Sequence, residues 1–174
     1  MAIHEPTHSD NAGRQGPTSR RPPTATTDTV THTLQFRVRY SETDQMATFY
    51  NSRALEWFEV GRTELMRALG LTYAEMESCG IFLPLVEAHL NFQGRAKYDD
   101  LLEMTSRMKM EGKASVRFDV SISHAPQALD APRSGPVVSG YTVHGIVDAA
   151  GKLIRCPDWV RAKLESANKS PQVP

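Results

Sequence analysis

The 174-residue chain is poor in cysteine, and neither Cys79 nor Cys156 has a second Cys or a His nearby at the spacing of a metal site or redox pair. A disulfide framework is thereby excluded, and both side chains read as thiols of a reducing, cytoplasmic environment. Long apolar runs are also missing. No stretch approaches the roughly 18 apolar residues of a membrane span, and the N-terminus lacks the apolar core of a secretory signal, so no membrane partner is expected. Nor is there an excess of either charge: 20 Lys and Arg balance 20 Asp and Glu. Without a basic footprint, a nucleic-acid partner is not expected either. His89, His124 and His144 stand in strand-like patterns without companion ligands, which points to structural roles and to no metal or other cofactor.

Apolar side chains are nearly absent from residues 1–30, which are rich in Pro, Thr, Ser and Gly. Such a segment has little to bury, and a disordered tail without catalytic groups is expected. The folded domain is expected over residues 31–168, with 169–174 as a flexible C-terminus.

What the chain does contain is a period-two pattern that begins abruptly at Leu34, where Leu34, Phe36, Val38 and Tyr40 alternate with polar residues. Similar alternation marks strands over Val86 to Phe92, Leu102 to Met110 and Val116 to Ile122, with Glu111-Gly112-Lys113 supplying a hairpin between the last two. A fifth strand is expected over Val137 to Val147. The only long helical signal runs from about Ser52 to Leu69, with Ala54, Phe58, Gly61, Leu65, Ala68 and Leu69 on one stripe. Asn51 or Ser52 is the expected N-cap and Gly70 the expected stop. Short helices are predicted over Thr72 to Cys79 and from Pro157-Asp158 into Trp159 to Ala167. One long helix followed by successive strands predicts an α+β fold, an antiparallel sheet of about five strands, mostly meander, wrapped around one central helix.

Chemistry concentrates in Tyr40-Ser41-Glu42-Thr43-Asp44-Gln45-Met46-Ala47-Thr48-Phe49-Tyr50, which joins the first strand to the long helix. It sets the Asp44 carboxylate just ahead of a helix N-terminus, whose unpaired N–H groups and partial positive charge can polarise a carbonyl and stabilise an oxyanion. The competing reading is a turn acid, since Asp is favoured in turns for its own reasons. Glu59 and Arg62, one turn apart on the helix, read as an ion pair rather than as catalytic groups.

This segment, together with Glu56 to Glu64 in the helix, Ala96 to Glu103 at the turn into the third strand and Val147 to Pro157 at the closing turn, resembles the 4-hydroxybenzoyl-CoA thioesterase-like and YbgC-like branch of the hotdog superfamily. The resemblance spans roughly Leu34 to Trp159. It implies hydrolysis of an acyl-CoA thioester, with Asp44 as nucleophile or general base. Tyr50 at the helix start would lend its backbone N–H to the carbonyl or its ring to the acyl pocket, and Met46, Phe49, Asn51 and Trp57 would contact substrate. Lys113, Ser115 and Arg117, on one face at the start of the fourth strand, stand where the family places nucleotide contacts, and Arg155 is a weaker phosphate candidate. The resemblance also implies a homodimer or homotetramer with sites at the protomer interface, Asp44 of one chain working beside phosphate-binding groups of the other. The chain departs from the family motif at Ala47 in place of glycine, Asn51 in place of histidine and Arg53 in place of asparagine. A small residue at 47 is tolerable where the backbone keeps a negative φ.

Hydratases on the same fold need a His working with the acid, and Phe49 and Asn51 occupy those positions. The remaining alternative is an acyl-CoA-binding hotdog protein with little or no catalytic activity, which an intact Asp44 opposes.

Overall fold

The computed structural model describes residues 30–126 and 135–169; the expected tail, apart from Val30, and the last five residues lie outside them. Five strands, β1 (Val30–Arg37), β2 (Leu85–Phe92), β3 (Leu101–Met110), β4 (Ser115–His124) and β5 (Pro136–Gly145), form one sheet in the order β1-β3-β4-β5-β2. Every pairing is antiparallel. Helix α1 (Asn51–Ala68) crosses the sheet, and α2 (Tyr73–Ser78) and α3 (Asp158–Lys169) close the end beyond it. This is the hotdog arrangement.

The alternation that predicted each strand is visible in its burial. Leu102, Met104 and Met108 on β3, and Val116, Phe118, Val120 and Ile122 on β4, face the helix and are buried, and their neighbours are not. Residues 111–114 make the expected hairpin, closed by Glu111 N–H to the Ser115 carbonyl at 2.9 Å. The meander holds only over β3, β4 and β5, because β1 pairs with β3 and β2 with β5, so the first two strands flank the sheet on opposite edges. β1 also begins at Val30, four residues before the alternation becomes regular, since Val30 to Thr33 have β3 as a partner.

On α1 the buried set is Ala54, Trp57, Phe58, Gly61, Leu65 and Met66. Met66 takes the place expected of Ala68, which is exposed, and Leu69 is only half-buried. The helix stops where expected. Gly70 takes φ +66°, the Gly70 N–H bonds to the Arg67 carbonyl at 2.9 Å, and the Leu71 N–H reaches the Met66 carbonyl at 2.9 Å. The start differs from expectation: the N-cap is Tyr50, with no side-chain cap, rather than Asn51 or Ser52. α1 packs mainly on β1 and β3 and leaves β2 largely bare, so Leu85, Val86 and Phe92 are exposed.

His144 is the structural histidine the sequence implied. It is buried, with Nδ1 against the Leu83 carbonyl at 2.9 Å and Nε2 against the Thr142 hydroxyl at 3.1 Å. Burial holds its pKa below the ordinary 6.5. The unfolded chain therefore binds the proton more readily, so this contribution to stability is complete above about pH 6.5 and is lost as pH falls. The denaturant midpoint should drop between pH 7.5 and pH 5.5, and the drop should shrink in His144→Asn. His124 lies 3.4 Å from the Asp100 carboxylate without the angle of a hydrogen bond, and His89 stacks on Tyr141. Both cysteines are free thiols.

Candidate active site

The path from β1 to α1 is a short 3-10 turn over Tyr40–Glu42 and then a closed loop. Its base is the Tyr50 N–H donated to the Glu42 carbonyl at 2.8 Å, followed by an antiparallel bridge between Thr43 and Phe49 and the Asp44 N–H to the Thr48 carbonyl at 2.9 Å. The loop is tied to the β2–β3 connection by the Phe49 N–H to the Ala96 carbonyl at 2.9 Å and by Arg95, which donates to the Met46 carbonyl.

Asp44 is half-buried at the tip of this loop. Its Oδ1 accepts the Met46 N–H at 2.8 Å, the geometry of a turn acid. Among the described residues, Oδ2 takes no hydrogen bond. One carboxylate oxygen thus holds the turn while the other is unengaged among the described residues. Tyr50 does not offer the N–H the resemblance implied, because that group already bonds to Glu42. Among the described residues, the donors left without partners at the start of α1 are the Asn51 and Ser52 N–H groups, one and two residues further on. The Tyr50 ring itself is exposed, as are Met46 and the Asn51 side chain.

Ala47 closes the tip with φ +53°. The condition under which alanine would substitute freely for the motif glycine is therefore not met, because a Cβ is strained in the left-handed region. Ala47→Gly should raise stability by about 0.5–1 kcal/mol, the relief of strain exceeding the added chain entropy. Thermal unfolding of the two proteins checks it; a lower midpoint for the glycine variant is the contrary result.

Phe49 and Trp57 are buried, with ring centroids 4.8 Å apart. A pocket of about 260 Å³ opens between β1 and α1, walled by Phe36, Arg39, Glu42, Trp57, Val60 and Met104 among others. Of the residues proposed from sequence, Trp57 alone lines it.

Lys113, Ser115 and Arg117 lie elsewhere. They sit at the β3–β4 hairpin, whereas the Asp44 loop is tied to Ala96 at the opposite end of β3, about 30 Å away by the rise of ten strand residues. Arg117 is engaged, pairing with Asp119 at 2.8 Å and lying 3.5 Å over the Tyr141 ring. Lys113 is exposed, and the Ser115 hydroxyl donates to the Glu111 carbonyl. One chain therefore does not bring these groups to Asp44. Glu59 and Arg62 form the expected pair at 3.7 Å, and Arg155 is exposed. Among the described residues no three of His, Cys, Asp and Glu converge as metal ligands, and no helix is long and apolar enough to cross a membrane.

Sequence reading missed Glu42. Its carboxylate is only 2% exposed. Burial pushes the Glu42 carboxyl up, but hydrogen bonds from the Arg39 side chain and N–H and from Trp57, with the Arg39 charge, outweigh it and hold the pKa below the ordinary 4.5. The Arg39–Glu42 spacing was visible in the sequence; the burial was not, because Trp57 lies fifteen residues further on.

Comparison with known proteins places the fold. A relative, YneP of Bacillus subtilis strain 168, provisionally named an acyl-CoA thioesterase, is 39% identical over 66 residues, which are 38% of this chain and 48% of YneP. The chain thus matches about half the length of that curated relative. The 1,4-dihydroxy-2-naphthoyl-CoA thioesterase Slr0204 of Synechocystis superposes with TM-score 0.69 at 20% identity, covering 83% of this chain and 99% of Slr0204. The DHNA-CoA thioesterase of Staphylococcus aureus gives TM-score 0.68 at 23% identity, over 80% and 93% of the two chains. At those identities the superpositions show a shared fold. The family model described as the thioesterase-like superfamily matches residues 38–164, which take in the Asp44 loop, α1 and all of the sheet but β1, and the chain belongs to that superfamily.

Proposed function

We propose that the protein hydrolyses an acyl-CoA thioester to the free acid and CoA. The observation that carries this reading is the free Asp44 oxygen, on a closed loop whose base at Glu42 and Tyr50 adjoins the Asn51 and Ser52 N–H groups, unpartnered among the described residues, at the start of α1. The thioester carbonyl oxygen would accept from those N–H groups, which stabilise the oxyanion as the carbonyl carbon becomes tetrahedral. Asp44 then acts in one of two ways. As nucleophile, its oxygen bonds to the acyl carbon, the C–S bond breaks to release CoA thiolate, and water hydrolyses the acyl-aspartyl anhydride. As general base, it takes a proton from water, which attacks directly, and that proton passes to the leaving sulfur. In support, YneP and the two superposed enzymes carry thioesterase names.

The site is read as shared between two chains. β2 is an edge strand on whose helix-facing side Leu90 is half-buried against the core while Ala88 and Phe92 are exposed, because α1 leaves most of the strand uncovered. A second copy would cover that edge, and a two-fold pairing makes two equivalent sites. Lys113 of the second copy then supplies the phosphate contact that a single chain lacks near Asp44.

The test is thiol release from a panel of acyl-CoAs of graded chain length together with benzoyl derivatives. At least one should be cleaved well above the rate without protein, and cleavage should be unaffected by EDTA because every group in the reading is organic. No release from any member would sink it.

A further inference from the structure

Glu42 has no part in the chemistry above, yet among the described residues it is the only carboxylate that is buried. Removing such a charge from water is costly unless each oxygen is bonded. Here each is. Oε1 accepts from Trp57 Nε1 at 3.0 Å and from Arg39 Nε at 3.0 Å and Nη2 at 2.7 Å, and Oε2 accepts the Arg39 N–H at 2.7 Å. The carbonyl of the same residue accepts the Tyr50 N–H at 2.8 Å. One residue therefore grips the exit from β1, the interior of α1 and the residue before α1. Because Tyr50 is consumed in this way, the open donors begin at Asn51.

We propose that Glu42 is a positioning residue, whose carboxylate, locked between Arg39 and Trp57, fixes the 42–50 loop against α1 and so sets Asp44 relative to the Asn51 and Ser52 N–H groups. The inference rests on the thioesterase reading for what Asp44 does. Misplacing a reacting group by about 1 Å costs on the order of a hundredfold in rate, so a loosened loop should be felt in turnover more than in binding.

Two variants separate positioning from bulk stability. Glu42→Gln keeps one acceptor oxygen but turns an NH2 donor toward the Arg39 N–H. Trp57→Phe removes the indole donor together with one of the two fused rings that wall the pocket, and keeps a ring against Phe36 and Phe49. On the full chain, kcat and KM are measured with the acyl-CoA the parent cleaves best, and hydrogen exchange is followed at the Tyr50 amide. In Glu42→Gln, kcat should fall at least about tenfold with KM within about threefold, and Tyr50 exchange should quicken at least about tenfold. Trp57→Phe should lose about fivefold in kcat, and it carries the test if Glu42→Gln does not fold. Turnover within threefold of the parent in the variants that fold, or unchanged Tyr50 exchange, would overturn the inference. A parent that cleaves no acyl-CoA would instead sink the thioesterase reading, and the exchange measurement would still decide whether Glu42 holds the loop.

Discussion

Asp44→Asn should fold as the parent does and lose at least about a hundredfold in kcat, the usual cost of removing a positioned base or nucleophile. The structure makes this substitution a clean one. Among the described residues, the only hydrogen bond of the carboxylate is Oδ1 accepting from Met46 N–H, and an asparagine carbonyl oxygen serves that turn equally well. What disappears is the charge and the lone pair of the other oxygen. Circular dichroism and the melting midpoint should therefore stay close to the parent while turnover collapses. A variant within about threefold of the parent would return Asp44 to the role of turn acid and leave the open N–H groups without a chemical partner.

Ala88→Glu should split the proposed two-fold pair. Ala88 lies mid-strand on β2, exposed on the face that turns toward the helix layer, so a glutamate there remains hydrated in a single chain and costs little. In a two-fold pairing over this edge, two such carboxylates would be buried at once without partners. Each costs several kcal/mol, so dissociation should become easier by at least about a thousandfold. Light scattering at micromolar concentration should show two chains per particle for the parent and one for the variant. Activity should fall with it, since each proposed site draws on both chains. A variant that stays paired would remove β2 from the interface, and a parent that is already a single chain would remove the shared site altogether.

Acid should act on the loop later than on the core. The Glu42 pKa is held below the ordinary 4.5, so its contribution is complete above that value and is lost only as pH falls below it, whereas loss of the His144 contribution already begins near its ordinary 6.5.

The strands and the long helix were legible because alternation of period two and a stripe of period 3.6 are local consequences of which face a residue presents. Leu102, Met104, Val116 and Phe118 are buried where the pattern put them. The place of Asp44 just ahead of a helix start was legible for a similar reason, as a matter of neighbours in sequence, whereas its proposed role came only from the family resemblance. The stop at Gly70 likewise follows from its own freedom at positive φ.

Tertiary structure decided the rest, wherever two segments distant in sequence had to meet. Strand order is one case: nothing in the pattern of β1 or β2 says that they take opposite edges, because antiparallel partners are chosen by the whole sheet. Ala47 is another, since the sign of its φ is set by closing Asp44 against Thr48. The same closure moves the open donors from Tyr50 to Asn51 and Ser52. Glu42 is the clearest case. Nothing in its local sequence marks it for burial, and it becomes the buried anchor of the loop because folding brings the Trp57 indole to a carboxylate paired with Arg39.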